Sequence, residues 1–181
     1  KIVHEAGMIM IVDAVSSLAG VDVQTDNWHL DICVSSANKC LEALPGVSFI
    51  SVSKEAWQVV DSHPGVTSGW YLNLRLWRKF AQEWGSWHPS PVTLPSNLIL
   101  AARAAMQKIV DRGLDAHFDR YRNASRVMRT GLTNLGFEMT VPDAFASPIA
   151  TGVNARADFD LADMVKFLAE ERNIAIGGGL G

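Results

Sequence analysis

Cysteine is scarce in this chain: Cys33 and Cys40 are the only two. That is too few for a disulfide-held scaffold, and neither falls in a metal-ligand spacing, so a reducing, cytoplasmic setting is expected. An excess of either charge is missing too. Lys and Arg total 16 against 19 Asp and Glu, for a net charge of −3 and a pI near 5.9, so the basic footprint of a nucleic-acid binder is absent. Arg120, Arg122, Arg126 and Arg129 do cluster, but at helical spacing, and are expected on one solvated face. No apolar run reaches the length of a membrane span, no secretory leader is legible, and no membrane partner is expected. There is no internal repeat and no low-complexity tract. The five histidines, His4, His29, His63, His88 and His117, share no helix face suited to a metal, so none is expected to hold one. Ser16 and Ser17 lie outside any nucleophile-elbow pattern. The closing run Gly177-Gly178-Gly179-Leu180-Gly181 matches neither the dinucleotide fingerprint nor the P-loop.

What is present is enough apolar material for a core: 48% of the residues are hydrophobic and 19% charged, which suits one domain, or one and part of another. The chain opens on Lys1-Ile2-Val3-His4-Glu5-Ala6-Gly7, which reads as the last turns of a helix with its C-cap glycine. It closes on a glycine-rich loop. An internal piece of a longer polypeptide is therefore expected.

One stretch, residues 31–46, organises the rest. A short apolar strand from Asp31 turns through Ser35, Ser36, Ala37 and Asn38, presents Lys39, and reaches Pro45-Gly46 before another apolar strand over 47–52. Upstream, Met8-Ile9-Met10-Ile11-Val12 is a continuous apolar run closed by Asp13, the pattern of a parallel strand buried on both faces. A lone lysine is by default a solvated surface group. Lys39 differs in its setting: small residues beside it leave room for a ligand, and Asp13 falls at a second strand end. In open α/β sheets the ligand crevice lies outside the carboxyl ends of the strands. A lysine and a carboxylate meeting there, without a metal cluster, suit a carbonyl cofactor held as a Schiff base.

Further along, the pattern predicts a helix over 54–60, a break at His63-Pro64-Gly65, and a tryptophan-rich segment over 70–87. That segment contains a helix over 72–84, whose Leu72, Leu76, Phe80 and Trp84 are expected in a core or a subunit interface. A proline-stiffened loop over 88–95 follows. Ser96 is expected to cap a helix over 97–112 stopped by Gly113, and Asp115 one running to about Asn134. Beyond Gly113 the pattern changes to strands over 137–141 and 149–153, a helix over 160–172, and a strand over 174–176. The fold class is α/β, with a mainly parallel sheet and flanking helices over 1–112 and a smaller α+β domain over 113–181.

Val12-Asp13-Ala14-Val15-Ser16-Ser17-Leu18-Ala19-Gly20, Asp31-Ile32 and Ser36-Ala37-Asn38-Lys39-Cys40 together resemble the class V, fold type I pyridoxal-phosphate aminotransferases. The likeness is greatest to the alanine–glyoxylate and serine–glyoxylate (serine–pyruvate) branch. It covers the whole chain. Thr93-Leu94-Pro95 looks like that branch's phosphate-binding loop, and residues 176–181 like its C-terminal loop. The resemblance implies pyridoxal 5'-phosphate as cofactor and Lys39 as its Schiff-base and proton-shuttling lysine. It also implies Asp13 on the pyridinium nitrogen, Val15 under the ring, Asn38 beside it, and Thr93 on the phosphate of the neighbouring subunit in a homodimer. The implied substrates are a small amino acid, alanine or serine, and a small keto acid, glyoxylate or pyruvate. There are departures. The branch often has glutamine before the lysine, whereas Ser-Ser-Ala-Asn-Lys-Cys is the wording of 2-aminoethylphosphonate–pyruvate aminotransferases. A tyrosine that often accompanies the phosphate threonine is replaced near Ser90. The family's glycine-rich phosphate loop, ring-stacking aromatic and carboxylate-binding arginine would lie outside residues 1–181. A lyase, desulfurase or epimerase of the same fold, or a domain that keeps the fold without the chemistry, are the other readings.

Overall fold

The computed structural model describes residues 2–65, 69–154, 156, 158 and 160–176. Helix α1 (Ile2–Glu5) ends in a turn where Gly7 takes φ 69°, a left-handed conformation that glycine adopts without strain. The first strand is shorter than its apolar run suggests. β1 spans Ile11–Asp13 and lies parallel to β2 (Ile32–Ser36), with Ile11 opposite Ile32 and Asp13 opposite Val34. Met10, just before the strand, is held twice by the start of β2: its N–H donates to the Asp31 carboxylate at 2.8 Å, and its carbonyl accepts from the Asp31 and Ile32 amides at 3.0 Å. Among the described residues β1 pairs on one side only, and Ile11 is 63% exposed, so the double-sided burial expected of this run is not realised within the chain.

β3 (Ser48–Val52) returns antiparallel to β2, with Ile32 opposite Val52 and Ser36 opposite Ser48. Residues 37–47 hold no helix and are too few for the crossover that a parallel pair requires. The three strands, in the order β1-β2-β3, thus form one parallel and one antiparallel pair.

Asp31 ties this sheet to the helices at its edges. It is only 2% exposed. Its carboxylate accepts from the Met10 amide (2.8 Å), the Ser53 hydroxyl (2.9 Å) and the His4 ring (2.8 Å). Burial alone would raise its pKa, but the Met10 and Ser53 hydrogen bonds and the His4 charge together hold it below the usual carboxylate range. A carboxyl group with a lower pKa folded than unfolded stabilises the fold above its unfolded value, and that contribution is lost as pH falls through the folded value. Asp31→Asn is accordingly expected to cost about 2 kcal/mol at neutral pH. Urea midpoints of variant and wild type should draw together only as pH falls through the folded pKa of Asp31, where the wild-type carboxyl itself becomes protonated. An unchanged neutral midpoint would mean that these three contacts contribute nothing.

The Ser53 hydroxyl has a second task, accepting from the Ala56 amide (3.0 Å) as the N-cap of α2 (Lys54–Ser62). Asn73 caps α3 (Leu74–Glu83) in the same way. Arg78 joins the two helices, pairing with Asp61 and lying 4.0 Å over the Trp57 ring. The stripe is only partly covered within this chain: Leu76 and Phe80 are half-buried, whereas Leu72 and Trp84 are exposed, as are Trp70, Tyr71 and Trp87 nearby.

Helix α4 (Ser96–Arg112) has Pro95 at its N-cap and no side-chain cap. Ser96 is already helical, since proline sets the entry torsion and the expected serine cap moves one residue inside. Gly113, at φ 86°, stops α4, and α5 (Leu114–Asn134) follows with Asp115 in its first turn. Gly46, at φ 119°, lies against α4: a Cβ there would sit 2.5 Å from Leu98 Cδ1.

The chain divides into two compact units, up to Phe118 and from Asp119 onward. The first turn of α5, with buried His117 and Phe118, belongs with the first. In the second unit, α6 (Leu161–Arg172) is capped by Asp160, whose carboxylate accepts from Ala162 and Asp163. The strands expected over 137–141 and 149–153 reduce to an antiparallel bridge between Met139 and Val153, and 174–176 forms none. Pro142 and Pro148 bound these runs, and the Val141 carbonyl is taken by Arg129 at 2.7 Å. Arg129 is thereby buried instead of solvated, its Nε also donating to Asp143 at 2.8 Å, whereas Arg120, Arg122 and Arg126 are exposed.

Candidate active site

Because β1 and β2 are parallel, their carboxyl ends lie on the same edge of the sheet. Asp13 is the last residue of β1, and Lys39 stands three positions beyond Ser36, the last of β2. The two loops are bonded to one another. The Ala14 amide donates to the Val34 carbonyl at 2.8 Å, the Ser35 hydroxyl to the Ala14 carbonyl at 3.2 Å, and the Cys40 thiol to the Ser16 carbonyl at 3.3 Å. Ala14 and Ala37 are fully buried beneath this edge. Their small side chains let the loops close, and the polar groups are left at the surface.

Asp13 is exposed, and its Oδ1 accepts from the Val15 amide at 2.8 Å. This turn fixes the direction of the carboxylate and leaves Oδ2 without a hydrogen bond among the described residues. Lys39 and Asn38 are exposed too. The Lys39 backbone is constrained, its carbonyl accepting from the Glu42 amide at 2.9 Å, while its Nζ makes no ion pair among the described residues. Ser36 Oγ donates to Asn38 Oδ1 at 2.9 Å. Val15 is half-buried at the start of the loop after β1. The fold therefore brings Asp13, Val15, Asn38 and Lys39 to one sheet edge. Thr93 is exposed in the loop before α4, where Ser90 donates to the Val92 carbonyl (2.8 Å) and Trp70 to the Pro91 carbonyl (2.9 Å). It makes no hydrogen bond to the other four among the described residues. The glycines 177–181 fall outside the described residues.

Sequence reading missed the ties that hold this edge. Cys40 and Ser35 serve it through their side chains, and the only trace in the sequence is their closeness to Lys39. Cys33, the other cysteine, is buried in β2; burial pushes its thiol pKa up and the nearby Asp13 charge adds to this, which keeps it a neutral packing group. No group of His, Cys, Asp and Glu among the described residues could hold a metal ion, and no described helix is long and apolar enough to cross a membrane. An oriented carboxylate and a primary amine on one open edge can hold a heteroaromatic nitrogen and an aldehyde respectively.

The 2-aminoethylphosphonate–pyruvate transaminase of Lactiplantibacillus plantarum is 32% identical over 93% of this chain and 45% of its own length. The alanine–glyoxylate aminotransferase of Rattus norvegicus is 30% identical over 100% of this chain and 44% of its own. The crystal structure of an alanine–glyoxylate aminotransferase from Nostoc sp. superposes with a TM-score of 0.89 at 31% identity, over 98% of this chain and 46% of that one. The chain thus spans less than half the length of these relatives. The family model described as aminotransferase class-V matches residues 1–180, and the chain belongs to that family.

Proposed function

We propose that this chain is part of a pyridoxal-phosphate-dependent aminotransferase that moves an amino group from a small amino acid, alanine or serine, to a small keto acid, glyoxylate or pyruvate. The observation that supports it is the pairing of Asp13 and Lys39 on one edge, with their loops joined through Cys40 and Ser16. The donor set fits the cofactor: an amine for its aldehyde and a carboxylate with one oxygen unengaged for its ring nitrogen. In this reading residues 1–112 belong to the large domain and 113–181 to the small one.

When bound, the cofactor supplies an aldehyde for amine exchange and a ring that draws electrons from the carbon losing its proton. The residues of the chain do the rest. With the cofactor bound, Lys39 Nζ would hold its aldehyde and would carry the proton of the substrate α-carbon. The Asp13 carboxylate, oriented by the Val15 amide, keeps the ring nitrogen protonated. The Val15 side chain and Asn38 would hold the ring. Thr93 binds the phosphate of the partner chain's cofactor.

Asn38 favours a second reading, 2-aminoethylphosphonate as amino donor and pyruvate as acceptor. Its position before Lys39 departs from the glutamine usual in the first branch, and Ser36 fixes its side chain. A screen of the full-length protein with alanine, serine and 2-aminoethylphosphonate, each against glyoxylate and pyruvate, separates the two. Transfer from none of these donors by protein that carries cofactor would overturn both readings. Elimination or sulfur-transfer products would then favour a lyase or desulfurase.

The shared site makes a further prediction. Trp70 meets Phe80 at 6.2 Å between ring centres, Phe80 meets Trp84 at 5.0 Å, and Trp84 meets Trp87 at 6.1 Å, so half-buried Phe80 joins the exposed tryptophans into a continuous surface of the kind buried between subunits. Full-length Lys39→Ala and a Thr93 variant that cannot bind phosphate should each be inactive. Mixed dimers gather both defects in one site and leave the other intact, so random reassortment should restore up to about a quarter of normal activity. No restoration despite proven subunit exchange would show that each chain builds its own site.

A further inference from the structure

The residue after Lys39 is held from far along the chain. His117, in the first turn of α5, is fully buried. Its Nδ1 faces Arg112 Nη1 and its Nε2 lies 3.2 Å from the Cys40 carbonyl oxygen. A guanidinium can only donate, so Nδ1 accepts, and the ring hydrogen sits on Nε2 and points at that carbonyl. Arg112 also approaches the Glu42 carboxylate at 3.9 Å. Glu42 itself takes φ 58° and closes the turn through its amide to the Lys39 carbonyl, and the next amide, Ala43, donates to the Ala37 carbonyl at 2.9 Å. The turn that presents Lys39 is thus pinned on both sides, by the Cys40 thiol on the Ser16 carbonyl and by His117 on the Cys40 carbonyl.

We infer that His117, set in one tautomer by Arg112, is a positioning residue for Lys39. This rests on Lys39 being the cofactor lysine, as proposed above. Phe118 beside it is buried as well and fills apolar space. An imidazole that only filled space could be replaced by an apolar side chain of similar size without leaving a polar partner behind. Removing His117 instead strips the buried Cys40 carbonyl, one residue beyond Lys39, of its donor, and such a group carries the whole desolvation penalty. The turn relaxes to re-pair that carbonyl, and the lysine amine loses its fixed direction.

The test uses the full-length protein freed of cofactor, with His117→Leu, His117→Gln and His117→Asn. A glutamine amide places its nitrogen near the position of Nε2, whereas the shorter asparagine reaches only as far as Nδ1. Two quantities are read: amide hydrogen exchange at Glu42 and Ala43, and the rate at which added pyridoxal phosphate becomes trapped on Lys39 by borohydride. His117→Leu and His117→Asn should speed exchange at those two amides by about tenfold beyond any change in α2 and α4, and slow trapping by about as much. His117→Gln should return both to near the wild-type values. If leucine does not fold, the glutamine and asparagine variants decide. The inference is overturned if those two behave alike, if exchange rises uniformly through the first unit, or if the turn stays protected without the imidazole. Trapping on another lysine in the wild type would instead overturn the Lys39 assignment, and the exchange result would stand apart from it.

Discussion

Lys39→Ala in the full-length protein is expected to reduce amino transfer to background, a loss of roughly ten-thousand-fold or more, with little change in thermal stability. The two halves of this expectation have separate physical grounds. The backbone of the turn is held by the Glu42 and Ala43 amides and by the Cys40 thiol, none of which involves the lysine side chain. That side chain is exposed and makes no ion pair among the described residues, and replacing such a group changes stability by no more than about 0.5 kcal/mol. The chemistry, by contrast, loses both the anchor for the aldehyde and the carrier of the α-proton. Steady-state rates and a melting curve on the same preparation check it. Activity within tenfold of wild type would make Lys39 an ordinary surface lysine.

Asp13→Asn is expected to lower kcat by about a hundred- to a thousandfold while KM for the amino donor changes little. The amide oxygen can still accept from the Val15 amide, as the carboxylate does at 2.8 Å, so the turn is kept. Only the negative charge disappears, and with it the preference for a protonated ring nitrogen. A loss confined to kcat distinguishes this from a distorted binding edge, which would raise KM. A variant with near-normal kcat would reduce Asp13 to a residue that closes the turn after β1.

The parts of this site that could be read from the sequence are those fixed by short-range pattern. An apolar run closed by Asp13, and a small-residue turn between two apolar strands, mark the edge and its two charged groups without any long-range contact. The helices were legible from their periodic apolar segments, but their caps were not: Ser96 and Asp115, expected as N-caps, lie inside α4 and α5, while Ser53, Asn73 and Asp160 cap α2, α3 and α6. Contacts between distant segments were not legible. Asp31 as the junction of Met10, Ser53 and His4, and His117 on the Cys40 carbonyl, join residues far apart in the chain, and no local pattern announces such pairs. Among its described residues the small unit holds less sheet than its apolar runs predict. Its apolar runs have strand composition, but Arg129 takes the Val141 carbonyl, and among the described residues of this unit the bridge that forms is Met139 to Val153 alone. Arg129 itself illustrates a limit of helical spacing, which places four arginines near one another without saying which of them meets a buried partner.

The central claim is that Lys39 is the cofactor-bearing lysine, and the most direct measurement is chemical. Full-length protein equilibrated with pyridoxal phosphate and reduced with borohydride should yield one modified peptide, the one that contains Lys39, in an amount matching the loss of the visible absorption band. Modification of Lys54 or Lys79 in its place, or no covalent capture by a folded and cofactor-saturated protein, would contradict the account.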